Sequence, residues 1–247
     1  MRGSSAGAGV RAPASLSLDV ARARQVPADP DALYRDRESL PHATAAAEIW
    51  AHRLADDDRD FEAAWKLARA RYWLGTNGLP DKDSRKSALE DGIAAGRAAV
   101  AAHPDRPEGH FWIAANMGAL AESFGLRQGL RYRGAIRDEL ERVLALDPAF
   151  LDGSADRALG RWYYKVPGLF GGSKEQSEAH LRKALTYNPD SIITHVFLAE
   201  TLIARDRDAD ARAQLEAALA APLDPDWAPE DRRFKDDARR LLASLDQ

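Results

Sequence analysis

The sequence lacks several features that would direct the interpretation elsewhere. Cysteine is absent from its 247 residues, which excludes disulfides, thiolate catalysis and cysteine-ligated metal, and is compatible with any compartment. No run of about 18 apolar residues occurs, so we expect no membrane-spanning helix. The formal charge of −4 is small for this length, which argues against a nucleic-acid-binding surface. Alternating Val/Ile/Thr runs are lacking and Ala is abundant, so we expect an almost wholly helical chain.

Signatures of catalysis, metal binding and cofactor binding are also lacking. The six histidines form no HExxH or HxH pattern, and Glu48 with His52 on one helix face does not complete a metal site. The run Gly171–Lys174 (GGSK) lacks the spacing and the preceding strand of a phosphate-binding loop. Ser173 in that run instead predicts an ordinary helix N-cap. We therefore predict a non-enzymatic protein without a metal or cofactor.

The N-terminal residues differ in composition from the rest of the chain. Residues 1–30 are rich in Gly, Ala, Ser, Pro and Arg and show no sustained period, which predicts a disordered tail. This stretch has no apolar core of the kind found in an intact secretory signal. We expect residues 31–247 to form one domain.

That domain carries a repeat. Three prolines that end successive units, Pro104, Pro148 and Pro189, are separated by 44 and 41 residues. Each first helix contains a large residue followed by a small one, as required where two helices approach closely. These pairs are Leu67-Ala68, Ile113-Ala114, Leu159-Gly160 and Leu198-Ala199. The pattern predicts an all-α, tetratricopeptide (TPR)-like solenoid of about four helix-turn-helix units with N-terminal and C-terminal capping helices.

Three of the four units contain extra residues between their two helices. About 12, 10 and 5 residues are added in the first, second and third units, and none in the fourth. The first insert, TNGLPDKDSRKS, is expected to be a polar loop, and the second to turn at Gly125 or Gly129. Such turns lie along one edge of a solenoid, where insertions can build a surface.

The third insert lies in an aromatic, glycine-rich segment at 162–172. In one interpretation it forms a binding lip, with glycines that allow close approach and tyrosines that supply polar contacts. In the other, Trp162 and Tyr163 fill the core and the glycines only end one helix and begin the next. Polar residues of the second unit's first helix are further candidates, because such helices line the concave groove. The candidate ligand- or partner-contacting residues are Asn116, Glu122, Trp162, Tyr163, Tyr164, Lys165, Phe170, Gly171 and Gly172.

Several segments carry a resemblance to a known family. They are ARARYWLG at 68–75, HFWIAANMGALAESFG at 110–125, ALGRWYYKVPGLFGGS at 158–173 and the final helix that follows PED at 229–231. Over roughly Asp60 to Leu242 the chain resembles the TPR-like T-component (TatT-like) family of tripartite ATP-independent periplasmic (TRAP) transporters. It is similar, more distantly, to the TPR-like regulators of microtubule dynamics.

The resemblance to the T-components implies a bacterial, periplasmic binding protein that docks a TRAP-type substrate-binding protein and holds an apolar small ligand. A cytoplasmic location is the alternative, since neither a signal nor a lipid-anchor cysteine is present. The alternative function is a general TPR scaffold that binds a peptide or protein without a small ligand.

Overall fold

A computed structural model describes residues 29–246, apart from the side chains of 126–128. This part of the chain forms eleven α-helices and no strand. The helices are α1 Pro30–Arg35, α2 Leu40–Asp56, α3 Phe61–Trp73, α4 Lys82–Ala102, α5 Pro107–Ser123, α6 Leu126–Leu146, α7 Phe150–Lys165, α8 Lys174–Tyr187, α9 Ile192–Ile203, α10 Asp208–Ala220 and α11 Ala228–Leu245. All but two residues of the predicted tail, 1–30, lie outside the described part.

Consecutive helices pair as the repeat predicts. The pairs α3/α4, α5/α6, α7/α8 and α9/α10 pack together, α2 packs on α3, and α11 packs on α9 and α10. The first helices of the units also contact one another in the order α3, α5, α7, α9. The predicted TPR-like solenoid with capping helices is therefore confirmed. Among the described helices, none combines the length and hydropathy needed to cross a membrane.

Helix boundaries follow from local sequence signals. The Asp60 side chain accepts a hydrogen bond from the Ala63 amide at 2.9 Å and so caps α3. Ser173 does the same for α8 by accepting from the Gln176 amide at 3.2 Å, which confirms the predicted N-cap. Such caps satisfy amides that have no partner within the helix.

Close helix packing explains the small residues of the repeat. Gly160 in α7 faces α8, where a Cβ atom would lie only 2.5 Å from Leu181 Cγ. Leu159 beside it and Leu181 opposite are both almost completely buried. The large-small pair thus fills the space between the two helices and lets their backbones approach.

The first insert is mostly helical, which corrects the prediction of a polar loop. A π-helical turn, Leu74–Gly78, follows α3, and α4 already begins at Lys82. The Asp81 side chain accepts from the Ser84 amide at 2.8 Å, and this cap starts a helix that the loop prediction did not consider. In the second insert the chain turns at Gly125, whose φ is +89°, as predicted.

The inserts therefore lengthen the second helices of the first two units. Helices α4 and α6 each have 21 residues, whereas α8 has 14 and α10 has 13. The third insert remains a turn, Val166–Ser173, with one 3₁₀ turn at Gly168–Phe170. The rim of the solenoid is thus thicker toward the N-terminus because its helices are longer there.

Candidate functional site

The concave face of the solenoid contains a cavity of about 980 Å³. Residues of α3, α5, α6, α7, α9 and α11 border it. Apolar side chains make up much of its wall, among them Phe111, Ala115, Ile136, Phe197 and Phe234. A concave, largely apolar space with a few polar groups is typical of small-molecule sites, and this volume is at the upper end of their usual range.

The C-terminal helix closes one side of this cavity. Arg37, which follows α1 and is only 3% exposed, donates to Glu230 at 2.5 and 3.2 Å and to the Asp226 carbonyl at 2.6 Å. Arg233 donates to the Asn77 side chain at 2.6 Å. Burial raises the pKa of Glu230, although the hydrogen bonds from Arg37 act in the opposite direction. These contacts hold α11 against the N-terminal part of the solenoid.

The backbone at the start of α7 is strained where it borders the cavity. Leu151, Asp152 and Gly153 have φ values of +45°, +56° and +73°, and the first two line the cavity. A left-handed conformation is unfavourable for residues with a Cβ atom, and surrounding structure must maintain it. Strained backbone of this kind is concentrated at functional sites, which supports the choice of this cavity as the candidate site.

Three of the predicted site residues line the cavity. Trp162 is 7% exposed and donates from Nε1 to the Arg133 carbonyl at 2.9 Å. Glu122 accepts from Arg161 Nε at 3.1 Å. Lys165 is exposed at the edge. The structure brings these three together, and their role in binding stays a prediction.

Three other aromatic candidates pack outside the cavity lining. Tyr163 stacks on His180 with ring centroids 5.4 Å apart. The Tyr164 ring lies 3.7 Å from the Lys174 ammonium, a cation–π contact. Phe170, which is 37% exposed, lies 5.2 Å from the Arg133 guanidinium.

The two predicted glycines shape the turn in which they lie. Gly171 has a φ of +100°, and a Cβ atom on Gly172 would lie 1.7 Å from the Val166 carbonyl oxygen. The positive φ of Gly171 and the lack of space for a Cβ atom on Gly172 are both explained by the turn itself. This geometry favours the interpretation in which the glycines end α7 and lead into α8.

Asn116 lies in the core between helices and does not border the cavity. Its side chain is completely buried, and Nδ2 donates to the Ala68 carbonyl at 3.1 Å and the Trp112 carbonyl at 2.8 Å. A Cβ atom on Gly92 would come within 2.3 Å of its Oδ1. The amide therefore links α3 with α5 at a point where α4 also approaches.

Sequence reasoning missed two arginines on α7. Arg157 and Arg161 are one helical turn apart and both line the cavity. Arg161 is paired with Glu122 and Glu200. The signal was available in ADRALGRW, where arginines recur at i and i+4 on a first helix. Within the described residues, no group of His, Asp and Glu is arranged to hold a metal ion.

The fold and the cavity define a TPR-like helical-repeat protein, and comparisons with known proteins agree. The family model for regulator of microtubule dynamics protein 1-3 matches residues 28–170, and a tetratricopeptide-repeat model matches residues 175–229. Since the first match spans more than half of the sequence, the chain belongs to the regulator of microtubule dynamics protein 1-3 family. The distant resemblance is thereby confirmed, and the one to TRAP T-components stays a prediction. A search of curated proteins finds no match.

Solved structures share the fold at low sequence identity. The TPR protein TTC0263 of Thermus thermophilus is 22% identical, with a TM-score of 0.65 over 87% of this chain and 97% of that chain. A structure of MamA is 14% identical, with a TM-score of 0.50 over 82% of this chain and 95% of that chain. These similarities establish the architecture only.

Proposed function

We propose that this protein is a non-catalytic binding protein whose concave cavity holds an apolar small molecule. The observation that carries the proposal is the cavity of about 980 Å³, walled largely by apolar side chains. Unfilled apolar surface lacks favourable packing contacts, and a ligand of matching shape would supply them. TPR solenoids also bind proteins, so we further propose a protein partner on the surface of the solenoid.

Two finer parts of this proposal rest on the resemblance to the T-components. They are the identity of the partner as a TRAP-type substrate-binding protein and a periplasmic location, with a cytoplasmic one as the alternative. The general TPR scaffold, with a peptide in the groove, remains the competing function. The thick N-terminal rim, built by α4 and α6, offers a surface for a partner in either case.

Gly118 provides a test of the cavity because it lines the cavity and a Cβ atom there would meet nothing within 4 Å. The variant Gly118→Leu should fill space in the cavity without clashing with the protein. It should also keep or raise stability, because glycine is about 1 kcal/mol less favourable than alanine inside a helix. We expect this variant to lose most of its affinity for a neutral apolar probe, dodecanol, measured by calorimetric titration.

The matched control is Gly134→Leu on α6. Gly134 also has nothing within 4 Å of a built Cβ, is exposed, and does not line the cavity. This variant should bind dodecanol as the wild type does. Failure of the wild type to bind dodecanol, or equal binding by Gly118→Leu, would contradict the proposal. Displacement of dodecanol from the wild-type protein by a titrated peptide would instead favour the scaffold, because it would place the peptide in the groove.

A further inference from the structure

Arg157 differs from the other arginine of α7 that borders the cavity. Arg161 is held by Glu122 on α5 and by Glu200 on α9. Arg157, one turn earlier, also lines the cavity, yet among the described residues it has no hydrogen bond or ion pair. The guanidinium of Arg161 is thus paired with carboxylates of the protein, whereas that of Arg157 contacts no carboxylate of the described residues.

The acidic groups nearest to Arg157 do not neutralise it by contact. Asp152 and Asp231 act on it only at longer range. Asp231 is almost buried and its carboxylate accepts from the Asp224 amide at 2.9 Å. Burial raises the pKa of Asp231, so the carboxylate is itself in an unfavourable position. Among the described residues, no side chain therefore gives this half-buried charge a contacting partner of opposite sign.

The surroundings of Arg157 make this isolation costly. Arg157 is half-buried where it borders the cavity, and burial lowers the pKa of its guanidinium. An arginine side chain nevertheless stays charged in proteins.

We propose that Arg157 binds the oxyanion group of the ligand, a carboxylate or a phosphate attached to an apolar body that occupies the cavity. This inference rests on the proposed function and specifies its ligand as an amphipathic anion. A guanidinium presents parallel N–H donors that match two oxygens of such a group. Ligand binding would neutralise a charge that no described residue pairs by contact.

The experiment compares three probes with the same alkyl chain: dodecanoate, dodecyl phosphate and dodecanol. Calorimetric titration of the wild-type protein should give affinities about tenfold to a hundredfold higher for at least one anion than for the alcohol, as expected for hydrogen bonds between charged groups. Tighter binding of dodecanoate would assign a carboxylate ligand, and tighter binding of dodecyl phosphate a phosphate ligand. Either result supports the proposal.

The variant Arg157→Met should remove the preference for the anions and leave dodecanol affinity unchanged or higher. Its apparent melting temperature without ligand should equal or exceed that of the wild type, because an unpaired charge is replaced by an apolar side chain. Arg157→Lys keeps the charge but not the planar guanidinium, and it should retain part of the preference for the anions. That result would show that the site of this variant still folds.

Arg142→Met is the control for net charge. Arg142 on α6 is exposed and does not line the cavity, so this variant should keep the preference for anions. Equal affinities of wild type for all three probes, or an unchanged preference in Arg157→Met, would overturn the role of Arg157 and leave the proposed function intact. Absence of dodecanol binding by the wild type would overturn the proposed function itself.

Discussion

At the residue scale, the molecule depends on a few positions where size or charge is tightly constrained. Gly160 is one of them, since α7 and α8 meet there with no space for a side chain. Asp156 is another, because its completely buried carboxylate contacts two residues of α8. Both residues belong to the third unit, whose first helix also carries Arg157 and Arg161.

Replacement of Gly160 by Ala should destabilise the fold. The added Cβ would lie 2.5 Å from Leu181 Cγ and 3.1 Å from the Ser177 carbonyl oxygen, and overpacking of this kind typically costs about 1–3 kcal/mol. Urea denaturation measures this as a lower free energy of unfolding. The control Gly134→Ala adds the same methyl group at an exposed helical position and should not destabilise. An unchanged midpoint for Gly160→Ala would show that the helices are not so closely packed.

Asp156 should make the stability depend on pH in the acid range. Burial alone would raise its pKa, but the hydrogen bond with His180 at 2.8 Å and the ion pair with Lys183 at 3.0 Å outweigh burial and lower the pKa below its usual value. A lowered carboxyl pKa contributes stability that is present above about pH 4 and is lost as pH falls through the folded-state value. We therefore expect the free energy of unfolding to decrease below about pH 4.

The variant Asp156→Asn isolates this contribution. It should be less stable than wild type at neutral pH, because Lys183 and His180 lose their charged partner. It should also show a shallower loss of stability between about pH 4 and pH 2 in thermal denaturation. Parallel acid profiles for the two proteins would assign the pH dependence to other carboxylates.

At the scale of elements, α11 does more than cap the last repeat. It packs on α9 and α10 and is also tied to the N-terminal segment through Arg37 and Glu230. The Arg37 guanidinium lies 5.1 Å from the Tyr34 ring and 5.2 Å from the Trp73 ring. The buried pair therefore joins two ends of the solenoid that are far apart in sequence.

Loss of Arg37 should release α11. In Arg37→Met the Glu230 carboxylate keeps its buried position without a partner, and breaking a buried pair in this way costs about 3–5 kcal/mol. Hydrogen–deuterium exchange should become faster in the amides of α11 and in the segment that precedes it. The double variant Arg37→Met/Glu230→Met should recover much of the protection, since apolar replacement of both partners is often neutral. Equal exchange in the single variant and the wild type would show that the pair does not hold α11.

The sequence was sufficient to predict the helices but not the contact that ties α11 to the N-terminal segment. Periodic large-small pairs such as Leu159-Gly160 predicted the units, because they report contacts between neighbouring helices. The pairing of Arg37 with Glu230 joins residues 193 positions apart, and no local pattern encodes such a distance. The prediction for the first insert was wrong although the signal was local. Asn77-Gly78 and Pro80 suggested a loop, and the helix N-cap at Asp81 was overlooked.

The site was predicted only in part for a similar reason. Trp162, Glu122 and Lys165 line the cavity, and the aromatic loop drew attention to that region. Asn116 is polar and lies on a first helix, yet its rotation about the axis of α5 places it in the core. Sequence gives the residues of a helix, whereas the packing of α3, α5 and α7 decides which of them face the cavity.

At the scale of the whole molecule, the solenoid is organised around an internal space. Four repeats form the concave wall, long helices α4 and α6 thicken one rim, and α11 closes a side. A strained turn at Leu151 and Asp152 borders this cavity, as does Arg157, which makes no hydrogen bond or ion pair with the described residues. These features share one location, which is why binding within the cavity is the central claim.

Crystals of the full chain grown with 12-bromododecanol test that claim most directly, because bromine is located by its anomalous scattering. The neutral alcohol makes the result independent of Arg157. We expect one strong bromine peak inside the cavity, among the side chains of α5, α7, α9 and α11, and no such peak in Gly118→Leu. A cavity without bromine in wild-type crystals, or bromine only at the outer surface, would contradict the account.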